Sequence, residues 1–119
     1  MSERTSALGK TTIAPEVLVS IIRLNTLYVP GVKSLATIPT SVDRFFSRGI
    51  DDGVKISVEN NVVTADIFVI LDQDTNVREV GRSVQQKVSR AISEMVGMEV
   101  GKINVHIEDI DFTPAPSQS

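Results

Sequence analysis

The sequence predicts an α+β domain in which two helices pack on one face of a small, largely antiparallel sheet, in the order helix-strand-strand-strand-helix-strand. Three observations carry this. Residues alternate apolar and polar on both sides of Asn60-Asn61, apolar residues then recur at helical spacing from Val77, and alternation resumes after Gly97.

The strand pair is the clearest element. Val54, Ile56 and Val58 alternate with Lys55, Ser57 and Glu59, the period of a half-buried strand. Asparagine tolerates positive φ better than other non-glycine residues, so Asn60-Asn61 predicts a two-residue hairpin turn. That turn sets Val58 opposite Val63, Ile56 opposite Ala65 and Val54 opposite Ile67. On the other face it sets Ser57 opposite Thr64 and Lys55 opposite Asp66, a complementary charge pair.

Asn76, with Glu79 three residues later, marks the start of the second helix. Val77, Val80, Val84, Val88, Ala91, Ile92 and Met95 form its apolar stripe, and Gly97 ends it. Ile103, Val105 and Ile107 then alternate with Asn104, His106 and Glu108. The phase changes at Asp109, since Ile110 and Phe112 fall on the other parity, which predicts a bulge or the end of pairing.

The first half is less regular. Thr11 to Ile13 suits a short extended piece, and Pro15 suits a first helical turn because its missing N–H would be unpaired there. Val17, Ile21, Leu24 and Tyr28 mark the apolar stripe of that helix, widened by Leu18 and Ile22, and Pro30-Gly31 stops it. Val32 to Ile38 reads as a strand. In the connection over 36–52, Thr40 followed by Asp43 suits a short helix start. Phe45 and Phe46 either seal the core edge or anchor a partner. Phe68 and Ile70 lie on the parity opposite Ile67, Val69 and Leu71, so the second sheet face is expected to be covered by that connection or by another subunit.

Residues 11–112 therefore form a single expected domain between flexible termini, 1–10 and 113–119. Its 41% hydrophobic content is enough for one core without disulfides or metal. The absence of cysteine excludes thiolate catalysis and cysteine-ligated zinc and is compatible with the cytoplasm. No signal peptide or spanning helix is expected, which leaves a membrane role to a partner. A net charge of -3, with only four phenylalanines and one tyrosine, argues against a nucleic-acid binder driven by electrostatics and base stacking.

No catalytic constellation emerges, and no cofactor or metal is expected. His106 is the single histidine and stands on a polar parity with no partner motif. Asp72, Asp74 and Asn76 imitate the first ligands of a calcium loop, but the glycine and distal glutamate of that loop are missing, so turn and cap chemistry accounts for them. Asp109 and Asp111 would approach Asp72 if the last strand paired nearby. The glycines show neither a P-loop nor a glycine-x-x-glycine clamp. What survives is a surface pattern: Arg78, Arg82 and Arg90 step by fours through Gln86, beside Lys87, opposite the apolar stripe. A solvated helix face explains it, and so does an acidic partner or an anionic membrane surface. The candidate partner-binding residues are thus Phe45, Phe46, Arg78, Arg82 and Arg90.

From Gly9 to Phe112 the chain resembles the bacterial alkaline shock protein family, the Gls-type general stress domain. The resemblance is carried by Ile13-Ala14-Pro15-Glu16-Val17, Pro30-Gly31-Val32, Gly53-Val54-Lys55-Ile56 and Val77-Arg78-Glu79-Val80. Ser83-Val84-Gln85-Gln86-Lys87-Val88, Met95-Val96-Gly97-Met98-Glu99-Val100 and Ile103-Asn104-Val105-His106-Ile107-Glu108-Asp109-Ile110 complete it. The resemblance implies a non-enzymatic cytoplasmic scaffold or adaptor of envelope stress response and homeostasis. It would self-associate or be held at the inner face of the membrane by a small membrane-anchored protein. A small RNA- or nucleic-acid-binding module using the basic face of the second helix is the alternative.

Overall fold

The computed structural model describes residues 8–37, 50–51 and 53–112. Helix α1 (Pro15–Leu27) is followed by β1 (Val32–Leu35), β2 (Ile50–Asp51), β3 (Val54–Glu59) and β4 (Val62–Asp72). Helix α2 (Val77–Arg90) continues into a π-helical segment, Ala91–Val96, before β5 (Glu99–Asp111). The α+β class and the order of the two helices among the strands are as expected, and both helices pack on one sheet face. Two elements differ. The two-residue β2, paired with β3, falls inside the 36–52 connection, and residues 11–14 belong to no strand. The suggested helix start at Thr40 and the pair Phe45 and Phe46 lie outside the described residues.

β4 organises the sheet. The β3–β4 hairpin has the register read from the turn, Val58 with Val63, Ile56 with Ala65 and Val54 with Ile67. Asn60 and Asn61 take φ of 53° and 65°, the left-handed values that a two-residue turn of this hand requires. β1 pairs antiparallel with the far end of the same edge, from Val69 to Leu71. β1 and β3 therefore lie in tandem along one side of β4 and meet at Phe68. The Phe68 N–H donates to the Gly53 carbonyl (2.8 Å), and its carbonyl accepts from the Ala36 N–H (2.7 Å). Gly53 is required at this junction: its φ is +83°, and a Cβ there would lie 2.6 Å from Leu35 Cβ.

The other side of β4 pairs with β5, the one parallel ladder among the described residues. Antiparallel pairs otherwise dominate, as expected. Parallel strands need a crossover, and α2 with its π-helical extension supplies it. β5 carries two bulges. Between Val100 and Ile103 it spends three residues on the two that separate Val63 from Ala65, and Glu108 is the extra residue between Ile107 and Asp109. The second lies where the sequence changes phase. Each extra residue flips parity, so Val100, then Ile103, Val105 and Ile107, and finally Ile110 all contact the core side.

The core lies between this face and the helices. Val63, Ala65, Ile67, Val69 and Leu71 are fully buried against Leu18, Ile22, Val84, Val88 and Ile92. Each of the larger side chains contributes about 1.5–3 kcal/mol on burial. Asn76 caps α2, its Oδ1 accepting from the Glu79 N–H at 3.0 Å.

Both helix stripes are corrected in part. In α1 the buried residues are Leu18, Val19, Ile22 and Thr26, while Val17, Leu24 and Tyr28 are exposed. The helix carries apolar residues on two sides, so periodicity alone does not choose the inward face. The face that turns inward includes Thr26, whose hydroxyl donates to the Ile22 carbonyl (2.8 Å), which makes a polar residue acceptable in the core. In α2, Val80, Val84 and Val88 face inward as expected, but Val77 is exposed and Met95 is 68% exposed. The π-helical turns hold more residues than the 3.6 of an α-helix, which swings Met95 off the stripe while Ile92 remains buried. Gly97 (φ 77°) closes the segment.

Replacing Val84 with Asp is expected to cost at least about 3 kcal/mol, because it places an unpaired charge in the centre of the α2 stripe. Urea melts in which Val84→Asp matched wild type would contradict the core assignment. Asn76→Ala is expected to lower stability by about 1 kcal/mol through loss of the cap, read from the same melts.

Candidate functional site

The outward side of α2 is fixed by its inward side. With Val80, Val84 and Val88 buried, the residues at 78, 82, 86 and 90 project to solvent. Arg78, Arg82 and Arg90 are therefore brought together on one exposed strip, with Lys87 exposed beside it. Arg90 Nε lies 3.6 Å from Glu94 Oε2, a pair open to water on both sides and worth little. Arg78 and Arg82 make no ion pair among the described residues. They stand at the N-terminal half of a helix whose macrodipole is positive there, so the local field favours an anionic group.

Toward its other end α2 borders an open groove of ≈ 1150 Å³. Its lining includes Ser83, Lys87, Arg90, Glu94, Met95 and Glu99, charges of both signs. His106 and Asp66 are not part of it, so the groove and the histidine are separate features. Gln85, also at this groove, donates from Nε2 to the Ile103 carbonyl at 3.1 Å and ties α2 to β5.

On the sheet face away from the helices, His106 acquires the partners that the sequence did not reveal. The parallel register sets it beside Phe68, and the two rings stack with centroids 4.5 Å apart and 15° between planes. Phe68 is buried on this face. Asp66 Oδ1 lies 2.9 Å from His106 Nε2 and also accepts from Asn104 Nδ2 at 3.2 Å. This joins β4 to β5 and shields an apolar ring. Among the described residues no hydroxyl bonds the imidazole, so the hydrogen-bonded pair lacks the nucleophile a triad needs. Local spacing could not have found this cluster, because its members are brought together by pairing across about 40 residues of sequence.

The acidic residues at the strand ends also have defined roles. Asp72 pairs with Asp111 in the β4–β5 ladder, the approach anticipated from sequence. Lys33 Nζ reaches Asp111 Oδ2 at 3.0 Å, so a charge from β1 offsets the crowding. The hydrogen bond to Asp111, then its charge and that of Asp72, holds the Lys33 ammonium above its ordinary 10.5. In the following turn Thr75 Oγ1 donates to the Asp72 carbonyl (2.8 Å) and Asn76 serves as cap. The segment that imitates a calcium loop is thus a turn and a helix start.

A lysine whose pKa is raised on folding adds stability that is complete below its unfolded value and is lost as pH rises through the folded value. Wild type is therefore expected to lose more stability than Lys33→Met as pH climbs past about 10.5, with little difference in slope below about pH 9. Urea melts across this range check it; parallel curves would show that the Lys33–Asp111 contact does not form in solution.

Comparison with known proteins places the chain. Residues 3–112 match the alkaline shock protein 23 family, described as having a cell envelope-related function. An uncharacterised protein of Streptococcus pyogenes, Spy1535, is 33% identical over 115 residues, covering 94% of this chain and 88% of the relative. The uncharacterised protein YqhY of Bacillus subtilis is 29% identical over 114 residues, covering 94% and 84%. Among solved structures, a MamM-CTD variant superposes with a TM-score of 0.54 at 16% identity over 81% of this chain and 98% of that one, a likeness of fold alone. The chain belongs to the alkaline shock protein 23 family.

Proposed function

From membership of a family with a cell envelope-related function, we propose that this chain is a non-catalytic cytoplasmic scaffold or adaptor in envelope stress response and homeostasis. It works through protein–protein contacts, associating with itself and docking on a small membrane-anchored protein at the inner face of the membrane. Among the described residues no helix is long and apolar enough to cross a membrane, which is why a partner is assigned the anchoring. The observation that carries the reading is the outward strip of α2, where Arg78 and Arg82 are exposed with no acidic partner among the described residues, on a chain whose net charge is -3. A basic strip on an acidic protein selects a local anionic surface on its partner, steering the encounter more than supplying its affinity. The groove beside Lys87 and Arg90 extends that surface toward β5.

The test is fractionation of cells expressing the protein at its normal level, followed by pull-down from solubilised membranes. Wild type is expected in the membrane fraction with an envelope protein retained, and Arg82→Glu is expected to be released to the soluble fraction with an unchanged thermal melt. A wild type that stays wholly soluble and retains no envelope protein overturns the reading. RNA binding that weakens steeply with salt would instead assign the strip to nucleic acid.

A further inference from the structure

Helix α1 is apolar on two sides, and the fold uses one. Leu18, Ile22 and Thr26 face the sheet, whereas Val17, Leu24 and Tyr28 are 48%, 56% and 74% exposed, with Ile21 half-buried between them. These four residues are spaced by four, three and four positions, the alternation of a coiled-coil seam, so they line one stripe from the first turn of the helix to its C-cap, Tyr28. No charged residue interrupts it, and Leu27, 40% exposed, borders it with Ser20. The exposed apolar surface comes to roughly 400 Å², the size of the largest patch on a monomer, which is often functional.

We propose that this seam is a self-association surface, on which α1 of a second copy of the same chain packs antiparallel about a two-fold axis. The order of side-chain sizes along the seam carries the choice of occupant. Antiparallel pairing sets Val17 opposite Tyr28 of the second copy at each end and Ile21 opposite Leu24 on both sides of the axis, so every layer joins a smaller residue to a larger one or two of similar size. Parallel pairing would set Tyr28 against Tyr28 and leave a gap between two valines. A two-fold contact is isologous, so one patch that complements itself closes a dimer. Antiparallel packing also opposes the two helix dipoles favourably. The seam is neutral, so the net charge of the two chains is not concentrated in the contact. Together the two seams bury on the order of 800 Å², below the 1,200–2,000 Å² of stable complexes, which fits a dimer that dissociates on dilution.

The proposal rests on the scaffold reading only for its expectation of self-association. Its test uses the purified full chain without membranes, so the two can fail separately. Sedimentation across a concentration series is expected to show a monomer–dimer equilibrium, and Leu24→Glu is expected to raise the dissociation constant by roughly 30-fold or more, with its thermal melt close to wild type. The chain contains no cysteine, so single cysteines at Val17 and Tyr28 give a second, fold-independent readout with a short bis-maleimide. Mixing Val17→Cys with Tyr28→Cys is expected to give the crossed product, while each alone gives little. A chain that stays monomeric at every concentration, or that gives only like-with-like cross-links, overturns the proposal.

Discussion

The fold depends on one strand being hydrogen-bonded along both edges. β4 is the only described strand with three partners: β5 along one side, and β3 and β1 end to end along the other. Its inner face is fully buried at five alternate positions, so a one-residue slip would put Asp66, Phe68 and Ile70 in the core and Ile67 and Val69 in water. Every other element is referred to that register. The two helices lie where its apolar side chains need cover, and Gly53 exists to let two strands meet on one edge without a Cβ between them.

The same register distributes the charges. Polar residues of β4 and β5 fall on the outer face, where Asp66, Asn104 and His106 satisfy one another around the Phe68 ring. The basic residues of α2 fall on the side opposite its valines. The polar groups at the centre of the outer sheet face are thus internally paired around Phe68, whereas the helical side presents Arg78 and Arg82 without an ion pair among the described residues and an exposed apolar seam on α1. Surface that has already satisfied its own hydrogen bonds and charges gains little from a partner; surface that has not gains more.

What was legible in the sequence was what local chemistry determines. Asn60-Asn61 set five paired positions, Asn76 with Glu79 set a helix start, and the phase change at Asp109, read as a bulge or the end of pairing, is a bulge at Glu108. Misreadings occurred where local patterns are ambiguous or where distance in the chain is large. The inward face of α1 includes a threonine that bonds its own backbone, which a hydrophobic stripe does not predict, and the place of Met95 depends on a change of helical pitch that no spacing rule encodes. The stack of Phe68 on His106 arises only once β5 is paired in parallel with β4. Of the surface residues singled out beforehand, the structure brings Arg78, Arg82 and Arg90 together as a strip.

The two bulges of β5, which restore parity to its core-facing side chains, also govern what can be added to the sheet. Among the described residues β5 pairs with β4 alone, and a thirteen-residue outer strand would ordinarily offer another chain a long template of free N–H and C=O groups. An incoming strand needs an uninterrupted repeat to zip against, and here the repeat is broken after Val100 and again at Glu108, so no partner strand can stay in step over the full length. Growth by indefinite sheet extension is thereby discouraged, and assembly is left to contacts that close on themselves.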